Sequence, residues 1–126
     1  EFFTAGADLP ALVEQAHSAG VAVVCSSHDF AKTPPRAELV SRMVQMQQAG
    51  ADLPKLAVMP RCRTDVLELL TATAEMADLH PETPVITMSI GGAGRVSRLA
   101  GETFGSAMTF ANPGRPAPRD RCRWTL

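Results

Sequence analysis

The sequence predicts an α/β fold in which helices alternate with the strands of a parallel sheet. Four short apolar runs are rich in β-branched or small residues and are bounded by Gly, Pro or Asp, as is typical of buried strands. Helical patterns separate these runs, and strands joined through helices pair in parallel by right-handed crossovers. The four predicted strands are 21–25, 56–59, 85–90 and 106–110.

The predicted helices begin and end at recognisable signals. Gly20 and Gly50 follow the first two helical patterns, and glycine is common just beyond the C-terminus of a helix. Asp65 lies near the start of the third pattern, where a negative charge interacts favourably with the helix dipole. The predicted helices are 11–19, 37–49, 64–79 and a shorter one at 96–104.

Two α/β architectures fit this alternation. Continuous apolar strands indicate that both faces of the sheet are covered, as in a small doubly wound sheet or in half of a (β/α)₈ barrel. The 126 residues suffice for one compact domain, whereas a complete barrel usually needs about 250. In both architectures the reactive groups lie at the carboxyl ends of the strands.

Composition excludes several classes of function. The 12 Lys and Arg residues balance 13 Asp and Glu residues, whereas a nucleic-acid-binding surface is strongly basic. No apolar run approaches the ~20 residues that cross a bilayer, and the N-terminus lacks the basic and apolar regions of a signal peptide. The three scattered cysteines fit neither a disulfide framework nor a zinc site, so we expect a cytoplasmic protein without a metal or other cofactor.

His28 and Lys55 are the residues whose positions most strongly indicate chemistry. The first strand runs into Ser26-Ser27-His28-Asp29-Phe30, so His28 lies at the carboxyl end of that strand, either in the site or simply in a surface loop. Lys55 opens the second strand, and alternation places it on one face with Ala57 while Leu56 and Val58 lie on the other. A lysine on a buried face loses charge because desolvation disfavours the ammonium ion, although a lysine at the strand edge could instead reach solvent.

Together these two side chains suit elimination next to a carbonyl group. A neutral lysine amine attacks a ketone and forms an electron-withdrawing iminium ion. A histidine, which titrates near neutrality, then moves protons on the neighbouring carbon. The Gly91-Gly-Ala-Gly94 segment matches no phosphate-binding fingerprint, and Arg95 or Arg98 could each hold an anion or be solvated.

Five segments, in order and in register, closely resemble type I 3-dehydroquinate dehydratase. The resemblance runs from about residue 1 to residue 111 and is specific because several long motifs keep nearly unbroken spacing. The segments are 26–34 (SSHDFAKTP), 51–60 (ADLPKLAVMP), 69–73 (LLTAT), 86–89 (ITMS) and 97–106 (SRLAGETFGS).

This resemblance implies a fold, a reaction and a set of site residues. It implies the C-terminal half of a (β/α)₈ barrel, about four strand–helix units, and a homodimeric enzyme of the shikimate pathway that converts 3-dehydroquinate to 3-dehydroshikimate. It assigns Lys55 as the Schiff-base nucleophile, His28 as the general acid/base and Arg98 as the partner of the substrate carboxylate. Met88, Ile90 and Phe110 line the pocket by the same resemblance, although relatives commonly carry Met at the position of Ile90.

The two ends of the chain depart from a complete enzyme of that family, so we expect this chain on its own to be an incomplete fragment with little or no turnover. The resemblance begins partway through the barrel, so we expect no match to the family's glutamate that orients the histidine, and we expect an exposed apolar inner face. Residues 112–126 are expected to form a disordered tail or to be the product of a one-base frame slip near Arg115. In one permitted back-translation an added base restores a Ser- and Gln-containing loop, and the gene sequence would decide this.

Two other interpretations remain open from the sequence. A Schiff-base aldolase on a similar barrel would also use Lys55, although the surroundings of His28 and Arg98 favour the dehydratase. A non-catalytic remnant, or one half of an assembly with a second chain, would need neither residue to react.

Overall fold

The structure, a computed structural model, describes residues 9–110 as alternating helices and strands. Gly20 and Gly50 follow the first two helices with φ of 73° and 90°, a left-handed conformation that glycine adopts without strain. The elements are α1 (Leu9–Ser18), β1 (Val24–Asp29), α2 (Arg36–Gln48), β2 (Leu53–Val58), α3 (Arg63–Leu79), β3 (Ile86–Ser89), α4 (Arg95–Leu99) and a 3₁₀ helix (Gly101–Phe104).

The three strands form one parallel sheet in the order β1-β2-β3. Helices α2 and α3 pack against each other, and both cover the same face of this sheet. A doubly wound sheet places helices on both faces, whereas consecutive strands with helices on one face form an arc of a (β/α)₈ barrel. The topology therefore selects the barrel from the two architectures that the sequence allows.

The helix-covered side, here called the outer face, holds the main hydrophobic core. Leu56 and Val58 of β2 point into it and meet apolar side chains of both helices, which lie at every third or fourth position as a core-facing helix requires. Those helix residues are Leu39, Met43 and Met46 of α2 and Leu69, Ala72 and Met76 of α3.

The opposite side of the sheet, here called the inner face, carries a smaller apolar cluster. Ala57, Ile86 and Met88 are buried there and pack with the partly buried Leu53 and Ile90. The expectation of an exposed apolar inner face is therefore wrong for these three residues, each of which has less than a tenth of its surface exposed. Strand alternation places Lys55 on this face with Ala57, as predicted.

Two of the predicted strands differ from the observed ones. The first lies at Val24–Asp29 rather than 21–25, because it continues through polar residues that follow the apolar run. The predicted fourth strand at 106–110 is reduced to a single parallel bridge between Val85 and Ser106. The hydroxyl of Ser106 accepts from the backbone N–H of Thr87 at 3.2 Å, and no ladder continues beyond it within residues 9–110.

The predicted boundary between a domain at 1–111 and a tail at 112–126 lies outside the described residues. No helix in the described part of the chain is long and apolar enough to cross a membrane.

Candidate active site

The β1–β2 register brings His28 and Lys55 to the same face of the sheet. Ser26 pairs with Lys55 and His28 pairs with Ala57, so His28 lies two residues beyond Lys55 toward the carboxyl end of the neighbouring strand. Side chains at paired positions and at every second residue share a face, which here is the inner face. Strand spacing and rise place their Cα atoms about 8 Å apart, so both side chains can reach one small molecule.

Lys55 is buried, with 7% of its surface exposed. Burial lowers the pKa of the Lys55 ammonium group from its ordinary value of 10.5, because desolvation disfavours the charged form. The strand forces this burial, since Lys55 occupies the middle of β2 between the partners Ser26 of β1 and Ile86 of β3. The lysine is thus an interior residue and not one at a strand edge that reaches solvent.

The ring of Phe110 lies against the amine of Lys55. The Nζ atom is 4.9 Å from the ring centroid, which is the geometry of a cation–π contact. The contact joins residues that are far apart in sequence, because Phe110 closely follows Ser106, which bridges to Val85 just before β3. A face of π electrons stabilises a positive charge on this nitrogen without adding a carboxylate to the site.

The imidazole of His28 is stacked on the ring of Phe30. The ring centroids are 5.8 Å apart and the planes differ by 4°. Phe30 was not predicted as a site residue. It lies in the turn that follows β1, which ends at Asp29, so the alternation of the strand does not indicate this contact.

Met88 and Ile90 contribute to the apolar floor of the inner face. Met88 is buried and Ile90 is partly buried, and both belong to the cluster around Ala57 and Ile86. Ala57 and Ile86 are lining residues that our sequence analysis did not name as part of the site. Their positions follow from the strand register, since Ala57 pairs with Met88 and Lys55 pairs with Ile86.

Arg98 lies in a different place from these residues. It follows β3 on α4 and lines a cleft of about 460 Å³ together with Glu102, Ser106, Met108 and Thr109. Lys55 and His28 are not among the residues that form the walls of this cleft. Arg98 forms no ion pair within residues 9–110, and its backbone carbonyl accepts from the Thr109 hydroxyl at 3.1 Å. The structure thus groups Lys55, His28, Met88, Ile90 and Phe110 by face and contact, and leaves Arg98 in the adjoining cleft.

The glycine-rich segment after β3, residues 91–94, allows close packing of the backbone. A side chain at Gly94 would meet the backbone carbonyl oxygen of Ser89 at 2.1 Å, so only glycine permits this close approach. The hydroxyl of Ser97 accepts from the Ser89 N–H at 2.9 Å and donates to the Gly94 carbonyl at 2.7 Å. This corner fixes α4, and with it Arg98, to the end of β3.

The other two histidines lie outside the candidate site. His17 contacts the Asp52 carboxylate at 2.8 Å on the surface, and His80 lies 3.9 Å from Glu82. The backbone N–H of Val23 also donates to Asp52, and these hydrogen bonds lower the pKa of the Asp52 carboxyl group.

The one-sided helices, the consecutive parallel strands and a buried lysine on the inner face define an α/β-barrel protein. Comparison with known proteins agrees with this assignment to the α/β barrels. The sequence model of the family described as type I 3-dehydroquinase matches residues 1–118. The chain therefore belongs to the type I 3-dehydroquinase family, and its fold is that of part of a (β/α)₈ barrel.

Relatives and solved structures give the extent of this similarity. The chain is 57% identical over 101 residues to a 3-dehydroquinate dehydratase from Clostridium kluyveri, covering 80% of this chain and 40% of the relative. It is 54% identical over 110 residues to the 3-dehydroquinate dehydratase of Salmonella paratyphi B, covering 87% and 44%. These names identify dehydratases rather than aldolases.

Two crystal structures of such enzymes superpose well on the chain. The Clostridium difficile enzyme, with covalently modified comenic acid, matches with a TM-score of 0.79 and 54% identity, covering 81% of this chain and 40% of that one. The Geobacillus kaustophilus enzyme matches with a TM-score of 0.82 and 41% identity, covering 89% and 43%. The chain thus spans about two fifths of the length of the proteins that it matches.

Proposed function

We propose that this chain supplies the Schiff-base lysine and the acid/base histidine of a 3-dehydroquinate dehydratase. The reaction removes water from 3-dehydroquinate and yields 3-dehydroshikimate. The observation that carries the proposal is the burial of Lys55 on the same sheet face as His28, in a chain that belongs to this family. The activity, its substrate and any homodimer belong to the whole protein, which we expect in the cytoplasm.

Lys55 forms the covalent intermediate. Its neutral amine attacks the C3 ketone carbon, and the resulting carbinolamine loses water to give an iminium ion. His28 transfers the protons that turn the carbinolamine hydroxyl into a leaving water. Burial favours the first step because it raises the fraction of Lys55 present as the neutral amine.

His28 then carries out the elimination. The iminium ion withdraws electrons from C2, so His28 removes a C2 proton and an enamine forms. The enamine electrons move toward C1 as the C1 hydroxyl departs, and His28 returns its proton to that hydroxyl to release water. Hydrolysis of the product iminium consumes one water, which balances the water released in imine formation, and frees Lys55. The net change is the loss of the one water that the elimination releases. These steps require no cofactor.

The residues around Lys55 suit both charge states of its nitrogen in these reaction steps, the neutral amine and the positive iminium ion. The apolar floor of Ala57, Ile86 and Met88 keeps the free amine desolvated. Once the iminium forms, the nitrogen carries a positive charge, and the face of Phe110 lies where it stabilises that charge. Phe110 therefore offsets part of the desolvation cost at the stage when the cation is needed.

Arg98 is proposed to bind the substrate carboxylate. The support is chemical: guanidinium binds a carboxylate through two parallel hydrogen bonds, and Arg98 has no carboxylate partner within residues 9–110. Its cleft opens beside α4, at the end of β3 whose Met88 pairs with Ala57. This role requires a substrate that extends from the inner face into the cleft.

Borohydride trapping tests the Schiff base directly. This part of the sequence contains two lysines, Lys32 and Lys55, and peptide mapping tells their adducts apart. When the whole protein is treated with 3-dehydroquinate and borohydride, we expect a mass increase of one substrate, less one water and plus two hydrogens, on the peptide that contains Lys55. Lys32→Arg is the matched control and should leave the adduct unchanged. An adduct confined to Lys32 would contradict the proposal.

The step assigned to His28 is tested separately. In the whole protein with His28→Ala the adduct should still form, although more slowly because His28 also assists imine formation. Dehydration, followed by the ultraviolet absorbance of the conjugated product, should fall about 10²–10⁴-fold. His80→Ala changes a histidine outside the site and should leave the rate unchanged. Undiminished dehydration in His28→Ala would refute the assigned role.

A further inference from the structure

The imidazole of His28 has a partner, Phe30, in the turn that follows its strand, and none of the proposed chemical steps uses it. Phe30 leaves 55% of its surface exposed, so its ring is not held by core packing. It nevertheless lies parallel to the imidazole, with planes that differ by 4°. Parallel, offset rings are a favoured arrangement for two aromatic groups, and the contact restricts rotation of both.

The backbone that carries Phe30 is fixed by its neighbour Asp29. The Oδ1 atom of Asp29 accepts from the backbone N–H groups of Ala31 and Lys32, at 3.0 and 2.9 Å. A carboxylate that accepts from the residues two and three positions ahead closes a tight turn. The carbonyl of Asp29 also accepts from the Met59 N–H at 2.9 Å, which ties this turn to the end of β2.

We propose that Phe30 is a positioning residue for His28, held over the imidazole by the turn that Asp29 closes. The proposal rests on the proposed function, because it gives His28 the proton transfers of the dehydration. Proton transfer needs a ring that is aimed at the reacting carbon before the substrate arrives, and a small misalignment costs large factors in rate. The stack supplies this orientation from the turn that directly follows the strand of the histidine.

The first experiment measures the orientation without any turnover. In the full chain with labelled histidine, the three-bond couplings between Hα and Hβ of His28 should show one rotamer, and the rings of residues 28 and 30 should show nuclear Overhauser contacts. In Phe30→Leu the couplings should average over several rotamers, and in Phe30→Tyr they should match the parent. His17 and His80 serve as references in the same spectra. Couplings that stay the same in Phe30→Leu would overturn the proposal.

The turn gives a second pair of variants. Asp29→Asn keeps the Oδ1 acceptor and should keep the single rotamer of His28. Asp29→Ala removes the acceptor and should give averaged couplings, with the fold checked by circular dichroism. A single rotamer in Asp29→Ala would show that the turn does not hold the stack.

The second experiment separates positioning from imine formation. In the whole protein with 3-dehydroquinate and borohydride, Phe30→Leu should reach the same final yield of Lys55 adduct as the parent. Its dehydration rate should fall at least about tenfold, and Phe30→Tyr should keep the parent rate. Equal loss of final adduct yield and dehydration, or no loss of dehydration, would contradict a role through His28. If the unsubstituted whole protein forms no adduct, the proposed function fails, and the rotamer measurement alone decides whether Phe30 positions the imidazole.

Discussion

The two faces of one sheet use the same three strands for different purposes. The outer face meets two helices and buries large apolar side chains completely, among them Leu56 on β2 and Leu39 on α2. The inner face has only a small apolar cluster and carries Lys55 and His28. The contrast indicates that the outer face supplies most of the stability of this segment, which allows the inner face to hold groups that are costly to bury.

The polar groups on the two faces differ in the same way. On the outer face, the hydroxyls of Thr73 and Thr87 contact each other at 2.7 Å, and Thr73 also donates to the Leu69 carbonyl. These are neutral groups that satisfy one another, as buried polar groups normally do. On the inner face, burial instead lowers the pKa of the Lys55 ammonium group, which is a cost in stability that prepares the amine for reaction.

The largest expected effect follows from removing the inner-face amine. Lys55→Met should abolish the borohydride adduct completely, because no other lysine lies on that face. Folding should be retained, since methionine replaces a buried amine with an apolar chain of similar length. Mass spectrometry and thermal unfolding measure the two outcomes, and an unfolded Lys55→Met chain would contradict the division between the faces.

On the outer face we expect a substitution to lower the stability of the fold. Leu56→Ala should lower the free energy of unfolding by about 3 kcal/mol, because Leu56 is fully buried and truncation leaves a cavity. Met88→Leu on the inner face conserves volume and should cost less than about 1.5 kcal/mol. Urea unfolding compares the two variants. Equal losses in the free energy of unfolding would show that the two faces contribute equally to stability.

The hydroxyl pair of the outer face gives a smaller effect. Thr73→Val leaves the buried Thr87 hydroxyl without its contact and should destabilise the chain by about 1–2 kcal/mol. In the double variant with Thr87→Val both polar groups are gone, and part of the loss should return. A double variant whose loss equals the sum of the two single losses would show that the hydroxyls are not coupled.

The smallest effect is a dependence of stability on pH. Because the folded-state pKa of Lys55 lies below its ordinary value of 10.5, the unfolded chain binds more protons between those two values. Stability contributed at this residue should therefore rise as the pH increases through that window. The free energy of unfolding of the parent chain minus that of Lys55→Met should rise with pH there, and a flat difference would argue against a desolvated amine.

The sequence predicts much of this arrangement because alternation and spacing are local properties. Lys55 and Ala57 share one face of β2 while Leu56 and Val58 share the other, as their order along the strand requires. The helices lie within a few residues of their predicted positions, since glycine and charge mark their ends.

The features that the sequence did not predict, which are the end of β1 and two aromatic contacts, have physical causes. The prediction ended β1 at Cys25 because the next residues are polar, yet Ser26 and His28 are polar because they face the inner side where the candidate site lies. An apolar-run criterion fails at a strand that carries a site. The contact of Phe110 with Lys55 depends on how distant segments meet, and the stack of Phe30 on His28 depends on a turn, so neither follows from periodicity.

The most direct test of the central claim is the titration of the Lys55 amine itself. Labelling lysine at Cε gives two carbon signals, which Lys32→Arg assigns, and each can be followed with pH. Our account predicts that the Lys55 signal titrates with a pKa below 10.5, because burial disfavours its charged form. A midpoint at or above 10.5 would mean that the amine remains a solvated ammonium ion, and would contradict the account.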